Sequence, residues 1–120
     1  MTLIAFDVDG TLECKEENSQ YISGPVKLNH LLWLSTDFHN VIVMVSPSPY
    51  APKEDIKEIF IRESQYGSNT MRHRNLLKAK EKYPQKDNLY LYVSDNGDYA
   101  EAKKAGFIYI DALMFANGYS

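Results

Sequence analysis

Four short apolar runs, Leu3 to Val8, Val41 to Val45, Leu89 to Val93 and Phe107 to Ile110, each bounded by Asp, Ser, Asn or Gly, constrain this chain most. Runs of this length, rich in Val, Ile, Phe and Tyr, suit strands covered on both faces of a sheet. The stretches between them carry helical spacing. One starts after Gly24-Pro25, with Pro25 suited to a first turn, and sets Leu28, Leu31 and Leu32 on one face. A second is expected from near Pro52, where Ile56, Ile59 and Phe60 fall at i, i+3 and i+4. A third runs from about Met71 to Tyr83 and stops at Pro84. The fourth spans roughly Asp98 to Ala105, with Asp98 and Glu101 in a capping pattern and Gly106 suited to the C-terminal turn. Alternation of this kind predicts a three-layer, Rossmann-like α/β domain on a mostly parallel sheet. Glu63 to Thr70 reads as loop or a short edge strand, and Glu13 to Ser23 as a surface excursion, a small hairpin or flap.

With 120 residues, of which 44% are apolar, one domain spanning 1–120 is expected. The 16 acidic and 13 basic side chains leave a formal charge of −3, which excludes a broad electropositive nucleic-acid-binding surface. Cys14 is the sole cysteine, so neither an internal disulfide framework nor a thiolate zinc site is expected. The opening run Thr2 to Phe6 is broken by Asp7 and Asp9, far short of a bilayer span, and lacks the flanks of a signal peptide. The expectation is a cytoplasmic protein with no membrane partner. The sequence leaves the oligomeric state open.

In parallel α/β sheets ligands bind beyond the carboxyl ends of the strands. The residues found there are Asp7-Val8-Asp9-Gly10-Thr11-Leu12, then Ser46, then Ser94-Asp95-Asn96-Gly97-Asp98. Carboxylates from distant parts of the chain would meet at one rim, where their mutual repulsion calls for a cation. Hard oxygen donors point to Mg²⁺.

These segments resemble the haloacid dehalogenase superfamily. Asp7 to Leu12 is similar to its first motif, DxDGT after a hydrophobic strand. Val41 to Val45 followed by Ser46 is similar to the second. Ser94 to Asp98, followed by Ala100, Ala102 and Ala105-Gly106, is similar to the fourth motif and the small-residue helix behind it. The motifs occur in family order and span nearly the whole chain. The resemblance implies a Mg²⁺-dependent phosphohydrolase acting on a phosphate monoester, with Asp7 as nucleophile in an aspartyl-phosphate mechanism and Asp9 as acid and then base. It implies Mg²⁺ held by the Asp9 backbone carbonyl and the carboxylates of Asp7 and Asp95, with Asp98 as a further or supporting ligand. Ser46 would bind a phosphoryl oxygen, helped by backbone N–H groups around Val8 to Gly10. The family's third motif is a Lys, occasionally an Arg, and here that zone reads Met71-Arg72-His73-Arg74-Asn75-Leu76-Leu77-Lys78. Counting back from Leu76-Leu77, which should face the sheet, favours Arg72, with Arg74 next. Neither interval that could carry a cap domain is long enough for one, so substrate selection falls to Glu13–Ser23 and Pro47–Pro52.

Plainer readings stand beside these. Asp-Gly is an ordinary turn, Asp98 a helix N-cap, Ser46 a strand end, and Arg72 and Arg74 a solvated helix face. His30, His39 and His73 show no metal-ligand spacing. Tyr21 and Tyr50 fall in the two selecting loops and either pack or stack on an aromatic group. The missing Lys favours a rival, a catalytically weak binding or regulatory domain of the same fold. Among enzymes, a nucleic-acid-end phosphatase is the alternative.

Overall fold

The computed structural model describes residues 2–15, 22–37, 39–46, 56–61, 72–95 and 97–118. Its strands are β1 (Thr2–Phe6), β2 (Asn40–Ser46), β3 (Glu58–Ile61), β4 (Leu89–Ser94) and β5 (Ile108–Asp111), and its helices are α1 (Leu28–Ser35), α2 (Arg72–Lys82), α3 (Tyr99–Lys104) and α4 (Ala112–Gly118). The strands form one parallel sheet in the order β3-β2-β1-β4-β5. β1 is central, with Phe6 opposite Met44 of β2 on one side and Val93 of β4 on the other.

Strand alternation sorts the core into two halves. Ile4, Phe6, Val8, Ile42, Met44, Leu91 and Val93 pack with Leu31 and Leu34 of α1 and with Ala112 and Phe115 of α4. On the other face Leu3, Ala5, Val43, Val45, Tyr90 and Tyr92 meet Leu76 and Ala79 of α2 and Ala102 of α3. Both faces being covered is why the strands read as continuous apolar runs rather than alternating ones. The result is the expected three-layer, Rossmann-like α/β domain. No helix among the described residues is long and apolar enough to cross a membrane.

Several local expectations are corrected. Ile56 to Phe60 is not helical: Glu58–Ile61 is the edge strand β3, paired from Val43↔Glu58 to Ser46↔Ile61. Three apolar residues at i, i+3, i+4 do not distinguish the two periods, and a β-branched, aromatic stretch pairs readily with the open edge of β2. The proposed start near Pro52 and the stretch Glu63–Thr70 lie outside the described residues. Pro25 precedes α1, whose N-cap is Lys27, and Leu34 takes the inward place expected of Leu32, which is 48% exposed. Of the pair Leu76-Leu77, only Leu76 is buried. Helix α4 was not anticipated, because its seven residues are too few to display a period.

The capping pattern also resolves differently. Asp98 occupies the N-cap position of α3 but makes no side-chain capping bond. Glu101 serves another helix: its Oε2 accepts the His73 backbone N–H at 3.0 Å and lies 2.7 Å from His73 Nδ1. Helix α2 has no acid in its own first turn, so Glu101 supplies the negative charge that a helix N-terminus favours. Burial alone would raise the Glu101 carboxyl. The His73 backbone and ring, together with Lys104, outweigh it and hold the group below its ordinary 4.5.

Glu101→Ala is therefore expected to cost about 1–2 kcal/mol of stability at neutral pH. Because the folded value is depressed, this contribution is full above the unfolded value of 4.5 and fades as pH falls through the folded one. Urea unfolding of both proteins at neutral and acidic pH should show the gap closing on the acid side. A gap independent of pH would contradict the assignment.

Candidate active site

At the centre of the sheet the strand order reverses direction, since β1 is followed on one side by β2 and on the other by β4. The crevice beyond the carboxyl ends at such a switch point is where α/β sheets bind ligands. Asp7 follows β1 directly, its N–H donating to the Val93 carbonyl of β4 at 3.0 Å, and Asp95 follows β4. Asp7 continues the parity of Leu3 and Ala5, which directs it to the α2/α3 side. Arg72 precedes Leu76 by four residues and Ala79 by seven, so it shares their inward stripe. The two meet, Nη1 to Oδ1 at 3.0 Å, with each residue only 2% exposed.

Arg72 is held from several directions. Its Nη1 also donates to the Val45 carbonyl at the end of β2. Its buried Nε has no hydrogen-bond partner among the described residues and lies 4.0 Å from Asp98 Oδ2. That same Asp98 oxygen accepts the Tyr92 hydroxyl at 3.1 Å and the Ser94 hydroxyl at 3.2 Å. Burial pushes the Asp7 carboxyl up. The Arg72 guanidinium and the Val8 N–H pull it down, Asp98 adds to the rise, and the balance stays above the ordinary value. Burial opposes charge on Arg72 as well, but the surrounding Tyr92, Asp7 and Asp98 more than offset it, so the guanidinium remains charged.

The turn after β1 depends on the absence of two side chains. Gly10 has φ +74°, and a Cβ there would lie 2.1 Å from Asp95 Oδ2, so only glycine lets that carboxylate rest against the turn. Gly24 is crowded in the same way, since a Cβ on it would fall 2.4 Å from the Gly10 carbonyl carbon. Thr11 and Asp95 bond reciprocally: the hydroxyl donates to Oδ1 at 3.1 Å and accepts the Asp95 N–H at 3.2 Å. Asp9 is half-buried, and its Oδ1 accepts the Ile22 N–H at 3.0 Å. The Gly10 N–H donates to the Ile22 carbonyl at 2.8 Å. Gly24 and Val26 continue this seam along Leu12 and Thr11, fastening the returning leg of the surface excursion to the turn.

The structure thus brings Asp7, Arg72 and Asp98 into one buried cluster, with Asp9, Gly10 and Asp95 at its rim. It does not bring Arg74 in, since that residue is exposed. Gly10 was expected to offer its N–H to phosphate. Here that N–H is taken by Ile22, and the glycine's contribution is room for Asp95. Asp98, expected as a metal ligand or support, commits Oδ2 to Tyr92 and Ser94 and faces Arg72. Ser46 closes β2, and its side chain lies outside the described residues, as do Tyr21, Tyr50 and Pro47–Pro52. From sequence Thr11 and Ser94 stood only as members of their motifs and Glu101 only as a cap of its own helix, and Tyr92 was not singled out. Strand parity with Asp7 would have flagged Tyr92 and Ser94.

Among the described residues no group of three or more His, Cys, Asp or Glu side chains is placed to hold a metal. The set implied by sequence counted Asp98 as a further or supporting ligand, and three such carboxylates are not gathered among the described residues; what remains of it is two carboxylates, Asp7 and Asp95, and one backbone carbonyl, Asp9. Its chemistry suits a hard divalent ion, which takes oxygen donors and keeps several waters. Asp7 and Asp98 face the Arg72 guanidinium, and Asp9 and Asp95 add two carboxylates at the rim. No protein-family model, curated protein or solved structure matches the chain.

Removing Arg72 would strand buried carboxylates. Arg72→Met should cost about 3–5 kcal/mol in chemical denaturation, and the cost should shrink by about 1–3 kcal/mol when Asp7 is already Asn. A strictly additive double-mutant cycle would contradict the pairing.

Proposed function

We propose that this chain is a capless phosphohydrolase of the haloacid dehalogenase type, which uses Mg²⁺ and cleaves a phosphate monoester through an aspartyl-phosphate on Asp7. The observation that carries the reading is a buried carboxylate at the switch point with a buried guanidinium 3.0 Å from it. Arg72 stands where the third-motif cation is needed, which answers the absence of a Lys. An arginine there opposes the rise that burial imposes on the Asp7 carboxyl and offers a planar, multidentate grip to phosphoryl oxygens.

Asp7 attacks the phosphorus in line as the bond to the leaving oxygen breaks, and the phosphoryl group passes to its carboxylate. Asp9 gives its proton to the leaving oxygen. In the second half Asp9 takes a proton from water, the water oxygen bonds to phosphorus, and inorganic phosphate leaves with Asp7 restored. The Ile22 N–H on Asp9 Oδ1 fixes that carboxyl beside the turn. Asp98 acts through Arg72, setting the guanidinium with the help of Tyr92 and Ser94. When bound, Mg²⁺ would be held by Asp7, Asp95 and the Asp9 carbonyl, and would neutralise and orient the phosphoryl oxygens. Without a cap, such a site suits a substrate too large to be enclosed.

Purified protein should hydrolyse para-nitrophenyl phosphate in the presence of Mg²⁺ and lose that activity with a chelator. Asp7→Asn should abolish turnover and Asp9→Asn should lower it by about 10²- to 10⁴-fold. Arg72→Lys should retain part of the activity. Absence of turnover with the aryl phosphate, phosphorylated metabolites and nucleic-acid ends alike would replace this reading with that of a binding or regulatory domain.

A further inference from the structure

We infer that Tyr109 of β5 is a positioning residue for the proposed metal site, its phenol oxygen bridging the backbone on either side of Asp95 and so fixing that carboxylate for the ion. The inference rests on the functional reading above. Tyr109 donates its hydroxyl hydrogen to the Ser94 carbonyl at 2.8 Å, and the same oxygen accepts the Gly97 N–H at 3.1 Å. Those groups belong to the residue before Asp95 and the residue two after it.

A clamp is needed because Asp95 is exposed and sits in a loop beyond β4. A metal ligand must be held to within about 0.5 Å of its working position, which an exposed loop does not achieve by packing. Thr11 restrains Asp95 from the β1 side through two bonds. Tyr109 does so from the β5 side. Its own ring is fixed by the register Tyr92↔Tyr109 and by edge contacts with Tyr92 and Tyr99, at centroid distances of 6.2 and 6.4 Å. The loop backbone is thus tied through one atom to the rigid sheet. Groups that orient ligands from behind in this way commonly set metal affinity by 10- to 100-fold.

Tyr109→Phe removes that oxygen and keeps the ring. In the full chain, Mg²⁺ binding would be measured by calorimetry and, separately, turnover of para-nitrophenyl phosphate would be followed as Mg²⁺ is titrated. The expected result is Mg²⁺ affinity weakened about tenfold in both measurements, with kcat restored to within about twofold of wild type at saturating Mg²⁺. Amide exchange at Gly97 should also speed up. Tyr99→Phe serves as the control and should leave Mg²⁺ affinity unchanged. Equal Mg²⁺ affinity in Tyr109→Phe and wild type would overturn the inference while leaving the proposed function standing, as would a lowered melting temperature with affinity intact. Wild-type protein that neither binds Mg²⁺ nor turns over phosphate would overturn both.

Discussion

A carboxylate at the end of the central strand and a guanidinium at the start of α2, both withdrawn from water, hold the rest of this site in place. Withdrawing either charge alone would be costly, and the pair is tolerable only because each satisfies the other. The contact ties the first turn of α2 to β1, and through the Val45 carbonyl to β2. Asp98, set by Tyr92 and Ser94, closes the cluster from the β4 side. Glu101 caps α2 one residue beyond Arg72, so helix and guanidinium are placed together. Buried ion pairs are weak sources of net stability. This one lies where the sheet topology opens a ligand crevice.

The rim around that pair is built from backbone economy. Gly10 and Gly24 let two chain segments and one carboxylate occupy space that side chains would fill. Thr11 and Tyr109 then restrain the loop bearing Asp95 from opposite sides. A carboxylate held by a buried cation and a carboxylate-bearing loop held by neutral hydroxyls divide the work: one contact sets charge, the other sets position.

Much of this was legible in the residues. Continuous apolar runs ending in Asp or Ser located four of the strands and placed Asp7 and Asp95 at their carboxyl ends, because a strand covered on both faces leaves that signature. Arg72 was legible because Leu76 and the helical period fix which side of α2 faces the sheet. The same reasoning failed for Leu77, since adjacent helix positions diverge by about 100° and only one can lie inward. The strand β3 was misread because its pairing with β2 is non-local and outweighs a three-residue helical pattern. Asp98 and Glu101 fitted a local capping box, yet each found a partner on another element, which no local motif can foresee. Of the loops expected to select substrate, residues 16–21 and 47–52 lie outside the described residues.

The most direct test of the proposed aspartyl-phosphate is to acid-quench the protein during incubation with a phosphate monoester and Mg²⁺ and map any phosphoryl adduct by mass spectrometry. The expected result is an adduct on the peptide containing Asp7, assigned to that residue and removed by hydroxylamine as an acyl phosphate is. Turnover with the phosphoryl group found on another side chain would contradict the central claim.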